Sequence, residues 1–207
     1  MSMRRRQASR VILVQGAWAH YAEWSAIIPS LQYAGLTASA LDLPQSSLAQ
    51  AATMLRRAIT KAEGAVILVG HSYGGAIISE AGLEDQVVGL VYVAAFAPDI
   101  GEPPACPSMV AELMAEGTFE HHAGQLPNVT LKPTPSAPLS GLASEAAWRV
   151  KPSWYLVEND DRALSRELQC FTAHKINAAT IMPASNLPSA SASPKEISEI
   201  ILEAAGL

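Results

Sequence analysis

The stretch AVILVGHSYGGAIISEA, residues 65–81, decides how this chain folds. Its first five residues are apolar and rich in β-branched side chains, which is typical of a buried parallel strand. Apolar residues recur at helical spacing over residues 76–81, and Gly82 stands where such a helix would end. The five residues GHSYG, 70–74, join the two patterns without a spacer. The stretch therefore predicts a strand, a sharp turn with Ser72 at its apex, and a helix.

The two glycines of this turn have a physical role. A G-x-S-x-G sequence between a strand and a helix forms a nucleophile elbow, a strained turn that exposes the serine. Side chains at Gly70 and Gly74 would collide with the neighbouring strand and helix, so glycine is required at both positions. The alternative is an incidental serine in a glycine-rich turn, which the clean strand and helix patterns argue against. We predict that Ser72 is a nucleophile.

Length, charge and cysteine content restrict the class of protein. The 207 residues suffice for one domain with a full core, and a net charge of −5 gives no reason to expect nucleic acid or a membrane as partner. No segment is long and apolar enough to predict a membrane span or a signal peptide. Cys106 and Cys170 lack metal or redox spacing, which predicts a reducing compartment, the cytoplasm.

Strand and helix patterns alternate along the chain. This alternation predicts an α/β fold, a doubly wound and mostly parallel sheet. The predicted strands are residues 11–14, 36–41, 65–69, 87–95, 153–158 and 179–182. The predicted helices between them are residues 23–33, 47–62, 76–81, 166–174 and 195–204.

Residues 98–152 differ from the rest in composition. They hold nine of the fourteen prolines and two short helix-like pieces, 108–116 and 143–150. Such a segment cannot be a core strand, so we predict an excursion over the sheet. The single domain then divides into a first core part, 1–97, a lid insertion, 98–152, and a second core part, 153–207.

The carboxyl ends of the predicted strands should carry the functional residues. Ligands of open parallel sheets bind at this edge, where Ser72 would meet the ends of the first, fifth and sixth strands. The backbone N–H groups of Ala17 and Tyr73 are the predicted oxyanion donors, one in the first loop and one at the start of the elbow helix. Asp161 is the candidate acid after the fifth strand, and Asp160 is its neighbouring rival.

The base is the difficult part of this constellation. The chain order Ser, Asp, His predicts a histidine after the last strand, but Asn186 lies there and no histidine follows His174. A carboxamide cannot take the serine proton. His20 in the first loop is a possible surrogate base, as are His121 and His122 in the excursion, whereas His71 should point away from the serine oxygen.

These motifs resemble those of the α/β-hydrolase superfamily, and within it the small esterases related to plant methylesterases and hydroxynitrile lyases. The similarity covers nearly the whole chain and is carried by segments 11–24, 40–44, 66–75, 91–102, 153–164 and 184–194. The resemblance implies an α/β-hydrolase fold with Ser72 as nucleophile, Asp161 as acid, and Ala17 and Tyr73 as oxyanion donors.

Three departures from the family pattern bear on activity. The family's histidine before the first-loop glycine is Gln15 here, its catalytic histidine falls on Asn186, and its lid usually holds more helix than residues 98–152 predict. The chain is thus expected to be a serine esterase for small carboxylic esters with an incomplete triad. The alternative is an inactive pseudoenzyme that binds a small apolar ligand. No metal or cofactor is expected, because no ligand cluster or phosphate loop is present.

The resemblance and the loop positions also suggest walls for an apolar pocket. Trp18 and Phe96 are candidates, together with Met109 and Leu113 of the excursion. For Trp24, ordinary core packing is the favoured interpretation.

Overall fold

The computed structural model describes residues 7–17, 21–44, 47–104, 141–159, 161, 164–182 and 194–207. Six strands in these ranges form one sheet in which every neighbouring pair is parallel. The predicted α/β fold with a doubly wound parallel sheet is confirmed. The strands are β1 Arg10–Val14, β2 Thr37–Leu41, β3 Val66–His71, β4 Val87–Val93, β5 Ser153–Leu156 and β6 Ala179–Ile181.

The order of the strands places the elbow at the centre of the sheet. It runs β2-β1-β3-β4-β5-β6, so the chain moves outward from β1 to β2 and then returns to the other side of β1. The reversal brings β1 and β3 together, with Val14 opposite Gly70 in the register. The crevice at such a switch point is the usual binding site of doubly wound sheets.

Helices cover both faces of the sheet. Two of them, with Trp24, pack on one face, and three pack on the other against a second apolar cluster. Ser47 and Ser165 cap two of these helices by accepting hydrogen bonds from Gln50 N and Leu168 N. The described α-helices are α1 Ile28–Tyr33, α2 Leu48–Lys61, α3 Tyr73–Ala81, α4 Arg166–Lys175 and α5 Pro194–Ala205.

The single helix predicted over residues 23–33 is wrong. The segment forms a 3-10 helix, Tyr21–Ala26, and then the separate helix α1. Pro29 lies in the first turn of α1, a position where proline starts a helix because it has no N–H to donate.

The helix predicted over residues 143–150 is also wrong and shrinks to a 3-10 turn, Ala147–Arg149. Its first residues bond elsewhere: Ala143 exchanges backbone hydrogen bonds with Gly101 and Glu102 (2.8 and 2.9 Å), and Ser144 N donates to the buried Glu80 carboxylate (2.9 Å). Tertiary partners therefore replace the helical ones.

The two ends of the 98–152 excursion are bound to each other. Trp148 Nε1 donates to Pro98 O (3.0 Å), and Arg149 pairs with Asp99 at 2.6 Å. The hydrogen bond from Arg149 holds the pKa of Asp99 below its ordinary value. Residues 105–140, with the predicted helix 108–116, lie outside the described residues, so the reduced lid stays a prediction.

No helix within the described ranges combines the length and the apolar character that crossing a membrane requires.

Candidate active site

Ser72 lies at the apex of a strained turn between β3 and α3. Its backbone angles are φ 50° and ψ −118°, a region that residues with side chains rarely occupy. Hydrogen bonds hold it there: Ser72 N donates to Val93 O at 3.2 Å, and Ser72 O accepts from Gly75 N and Phe96 N, both at 3.1 Å. The backbone is that of the predicted nucleophile elbow.

The crowding predicted at the two elbow glycines is present. A Cβ on Gly70 would lie 2.5 Å from backbone atoms of Gly74, and a Cβ on Gly74 would lie 2.5 Å from Val14 O and 2.9 Å from Gln15 O. All three distances are far below van der Waals contact. The elbow therefore packs directly on the end of β1.

The first loop touches Ser72 from the other side. A Cβ built on Gly16 would lie 3.1 Å from Ser72 Cβ and 3.4 Å from His71 Nδ1. Ala17 follows in a turn, and Tyr73 begins α3, where the helix dipole favours negative charge. The two segments that carry the predicted oxyanion donors are thus neighbours.

Asp161 follows β5 in a loop that a buried glutamine organises. Its Oδ1 accepts a hydrogen bond from Leu164 N at 3.2 Å. Gln169 of α4, fully buried, bonds both N and O of Glu158 (2.8 and 3.1 Å) and donates to Leu164 O (2.8 Å). Gln169 therefore fixes the loop on both sides of Asp161.

His71 immediately precedes Ser72 and pairs with Glu23 of the first 3-10 helix. Its Nδ1 lies 3.2 Å from Glu23 Oε2, and its ring meets the edge of Trp24. Burial alone would lower the pKa of His71, but the charge and hydrogen bond of Glu23, with the charges of Glu158 and Asp161, raise it to about 9. A histidine that is protonated at neutral pH cannot serve as the general base.

Several predicted site residues lie outside the described residues. They are Trp18, His20, Met109, Leu113, His121, His122, Asp160 and Asn186. Of the other predicted pocket walls, Phe96 is half-buried against the core. Trp24 is buried in the core, as the favoured interpretation held.

No group of three His, Cys, Asp or Glu side chains in the described part of the chain is placed to hold a metal ion.

A family model for the alpha/beta hydrolase family matches residues 11–200. The chain belongs to this family. An α/β-hydrolase named nvfD, from Aspergillus novofumigatus (strain IBT 16806), is 30% identical over 211 residues, covering 82% of this chain and 84% of the relative.

Solved structures share the fold of this α/β-hydrolase at lower identity. A pyrethroid hydrolase from Sphingobium faniae JZ-2 is 21% identical with a TM-score of 0.76, covering 96% of this chain and 97% of the other. The methylesterase MES16 from Arabidopsis is 19% identical with a TM-score of 0.71, covering 95% and 98%. At these identities the likeness shows the fold, including its resemblance to the methylesterase group.

Sequence reasoning missed a buried tyrosine that supports the elbow of this α/β-hydrolase. The Tyr155 hydroxyl of β5 donates to Ala95 O (2.7 Å) and accepts from Ala95 N (2.8 Å), and burial raises its pKa far above the ordinary value. Ala95 precedes Phe96, whose N–H bonds Ser72 O. In the sequence, Tyr155 is one more apolar residue of a buried strand, so no signal distinguished it.

Tyr155→Phe is expected to lower the free energy of unfolding by about 1–3 kcal/mol, because it leaves the Ala95 N–H and C=O buried without a partner. Urea unfolding measures this loss. Tyr92→Phe is the matched control. Tyr92 stacks on Tyr155, but its hydroxyl bonds Ser79 Oγ, which also donates to Gly75 O, rather than backbone groups. Equal losses in the two variants would contradict the role given to Tyr155.

Proposed function

We propose that this α/β-hydrolase is a serine esterase for small carboxylic esters that works with an incomplete triad. The backbone of Ser72 carries the proposal. Holding a serine in so unfavourable a conformation costs about 1–3 kcal/mol, and such strain is concentrated at functional sites. The names of two structurally similar proteins, a pyrethroid hydrolase and a methylesterase, agree with an ester substrate.

The roles proposed for the other site residues follow from their positions in the chain and in the fold. The N–H groups of Ala17 and Tyr73 would stabilise the oxyanion that forms when Ser72 Oγ attacks the ester carbonyl. Asp161 is the acid that orients a base in a complete triad, and Asn186 occupies the place of that base in the chain order. With no histidine there, the expected turnover is slow. An oxyanion hole and substrate binding still give about 10³–10⁴-fold acceleration over water.

Ser72→Ala tests the proposal directly. Wild type is expected to be labelled on Ser72 by a fluorophosphonate and to hydrolyse p-nitrophenyl acetate faster than the variant. Ser72→Ala should not be labelled and should keep only the acceleration that the oxyanion hole and substrate binding supply. Urea-unfolded wild type supplies the background rate of the chain's other nucleophiles. Equal rates for wild type, Ser72→Ala and unfolded protein would refute the esterase.

A pseudoenzyme that binds a small apolar ligand is the second candidate, favoured by one observation. The sequence has no histidine after His174, so the order of triad residues is broken at Asn186. This candidate requires binding without turnover. Calorimetric titration with a non-hydrolysable ester analogue should then give the same affinity for wild type and Ser72→Ala, with no fluorophosphonate labelling of either.

A further inference from the structure

Glu23 and His71 form a side-chain pair that joins two segments distant in sequence. Glu23 belongs to the 3-10 helix that follows the first loop, and His71 is the last residue of β3. Their side chains are 14% and 31% exposed, so the 3.2 Å contact is partly shielded from water. A partly buried charge pair is stronger than a surface pair, because water and salt screen it less.

The first loop, which precedes this 3-10 helix in the chain, touches the elbow next to Ser72. Gly16 lies against both Ser72 and His71, and Gly74 lies against the backbone of Gln15. A small outward movement of the first loop would therefore separate it from the elbow. Two residues of the 3-10 helix after the loop contact the residue before Ser72: Glu23 pairs with the His71 side chain, and Trp24 contacts its ring.

We propose that the Glu23–His71 pair is a positioning clamp that holds the first loop on the elbow and so fixes the spacing of the Ala17 and Tyr73 N–H groups. The clamp deepens the proposed esterase and rests on it. In this proposal neither side chain contacts the substrate. Both act by keeping the backbone of the first loop in place against the elbow.

The charge state of the pair gives the clamp a pH signature. Glu23 faces His71 from the 3-10 helix, Glu158 and Asp161 act on it from the loop after β5, and Trp24 contacts its ring. The folded pKa of about 9 exceeds the ordinary value of 6.5. The stability that the pair contributes is therefore complete below about pH 6.5 and disappears as the pH rises through about 9.

Glu23→Gln tests the clamp, since it keeps the shape of the side chain and removes its charge. At pH 7 the variant is expected to lose about 10-fold in kcat with little change in KM, less than the 10²–10³-fold loss that follows complete removal of an oxyanion donor. Its Tm should lie below that of wild type at pH 6, and the difference should vanish by pH 10. Amide hydrogen exchange at residues 16–17 should be faster in the variant at pH 7.

Glu199→Gln is the matched control. It makes the same substitution in the exposed Lys195–Glu199 pair of α5, which is 3.7 Å apart and remote from the first loop in the chain. Exposed ion pairs of this kind contribute little to the free energy of unfolding. The kcat, the Tm and the amide exchange at residues 16–17 should therefore stay at wild-type values.

The possible results separate the clamp from the esterase. A Glu23→Gln variant with wild-type kcat and exchange, or with a Tm deficit that is the same at pH 6 and pH 10, would overturn the clamp. If wild type shows no Ser72-dependent turnover, the esterase fails. The pH dependence of the Tm difference and the exchange at residues 16–17 then decide the clamp by themselves.

Discussion

Asn186→His is expected to raise kcat/KM for p-nitrophenyl acetate by about 10²–10⁴-fold, the range that a positioned general base contributes. The resemblance to small esterases assigns the catalytic histidine to position 186. That position follows β6, the neighbour of β5, and Asp161 follows β5. An imidazole there would accept the Ser72 proton, which the asparagine carboxamide cannot do.

The gain must depend on the nucleophile and on the imidazole. Adding Ser72→Ala to Asn186→His should abolish it, and Asn186→Gln, which keeps a carboxamide, should leave the wild-type rate. Steady-state rates between pH 5 and 9 should rise with the deprotonation of the new histidine. A variant no faster than wild type would contradict the assignment of position 186 to the base.

Gly74→Ala is expected to lower the free energy of unfolding by about 3 kcal/mol and to reduce labelling of Ser72, because the new methyl group would be overpacked against backbone. The atom that it meets is Val14 O, 2.5 Å away. Val14 is paired with both β2 and β3, so it cannot retreat without disturbing the central strands.

Gly101→Ala separates this collision from a general cost of replacing glycine. Gly101 has φ +83° and nothing within 4 Å of an added Cβ, so only backbone strain of about 1–2 kcal/mol is expected. Urea unfolding gives both losses, and fluorophosphonate labelling shows whether the elbow is intact. A Gly74→Ala protein as stable and as reactive as Gly101→Ala would contradict the packing of the elbow on β1.

The sequence predicts the strand–turn–helix unit well because its requirements are local. The apolar run before Gly70, the glycines and the helical spacing after Ser72 all lie within residues 65–81, and each restricts the same backbone. The break in the predicted helix 23–33 could also have been predicted from the sequence, because Pro29 favours the start of a helix rather than its middle.

The supports of the site could not be predicted in the same way. Glu23 and His71 are 48 residues apart, and Tyr155 and Ala95 are 60 apart, so neither contact follows from local spacing. For Gln169, the sequence does indicate a buried, hydrogen-bonded side chain. It shares one helix face with the apolar Ala173 and Ile176, and a polar residue on such a face usually has a buried hydrogen-bond partner.

The two backbone hydrogen bonds of Ala143 with Gly101 and Glu102 have a consequence for engineering the protein. The chain leaves the core and re-enters it at one point, because Ala143 N donates to Glu102 O across a gap of forty residues in the sequence. A change in the length of the chain between these two anchors contributes about 0.6 kcal/mol of loop-closure free energy for each doubling of length. We therefore expect an insertion between residues 102 and 143 to cost little in loop-closure free energy while the two anchors stay paired.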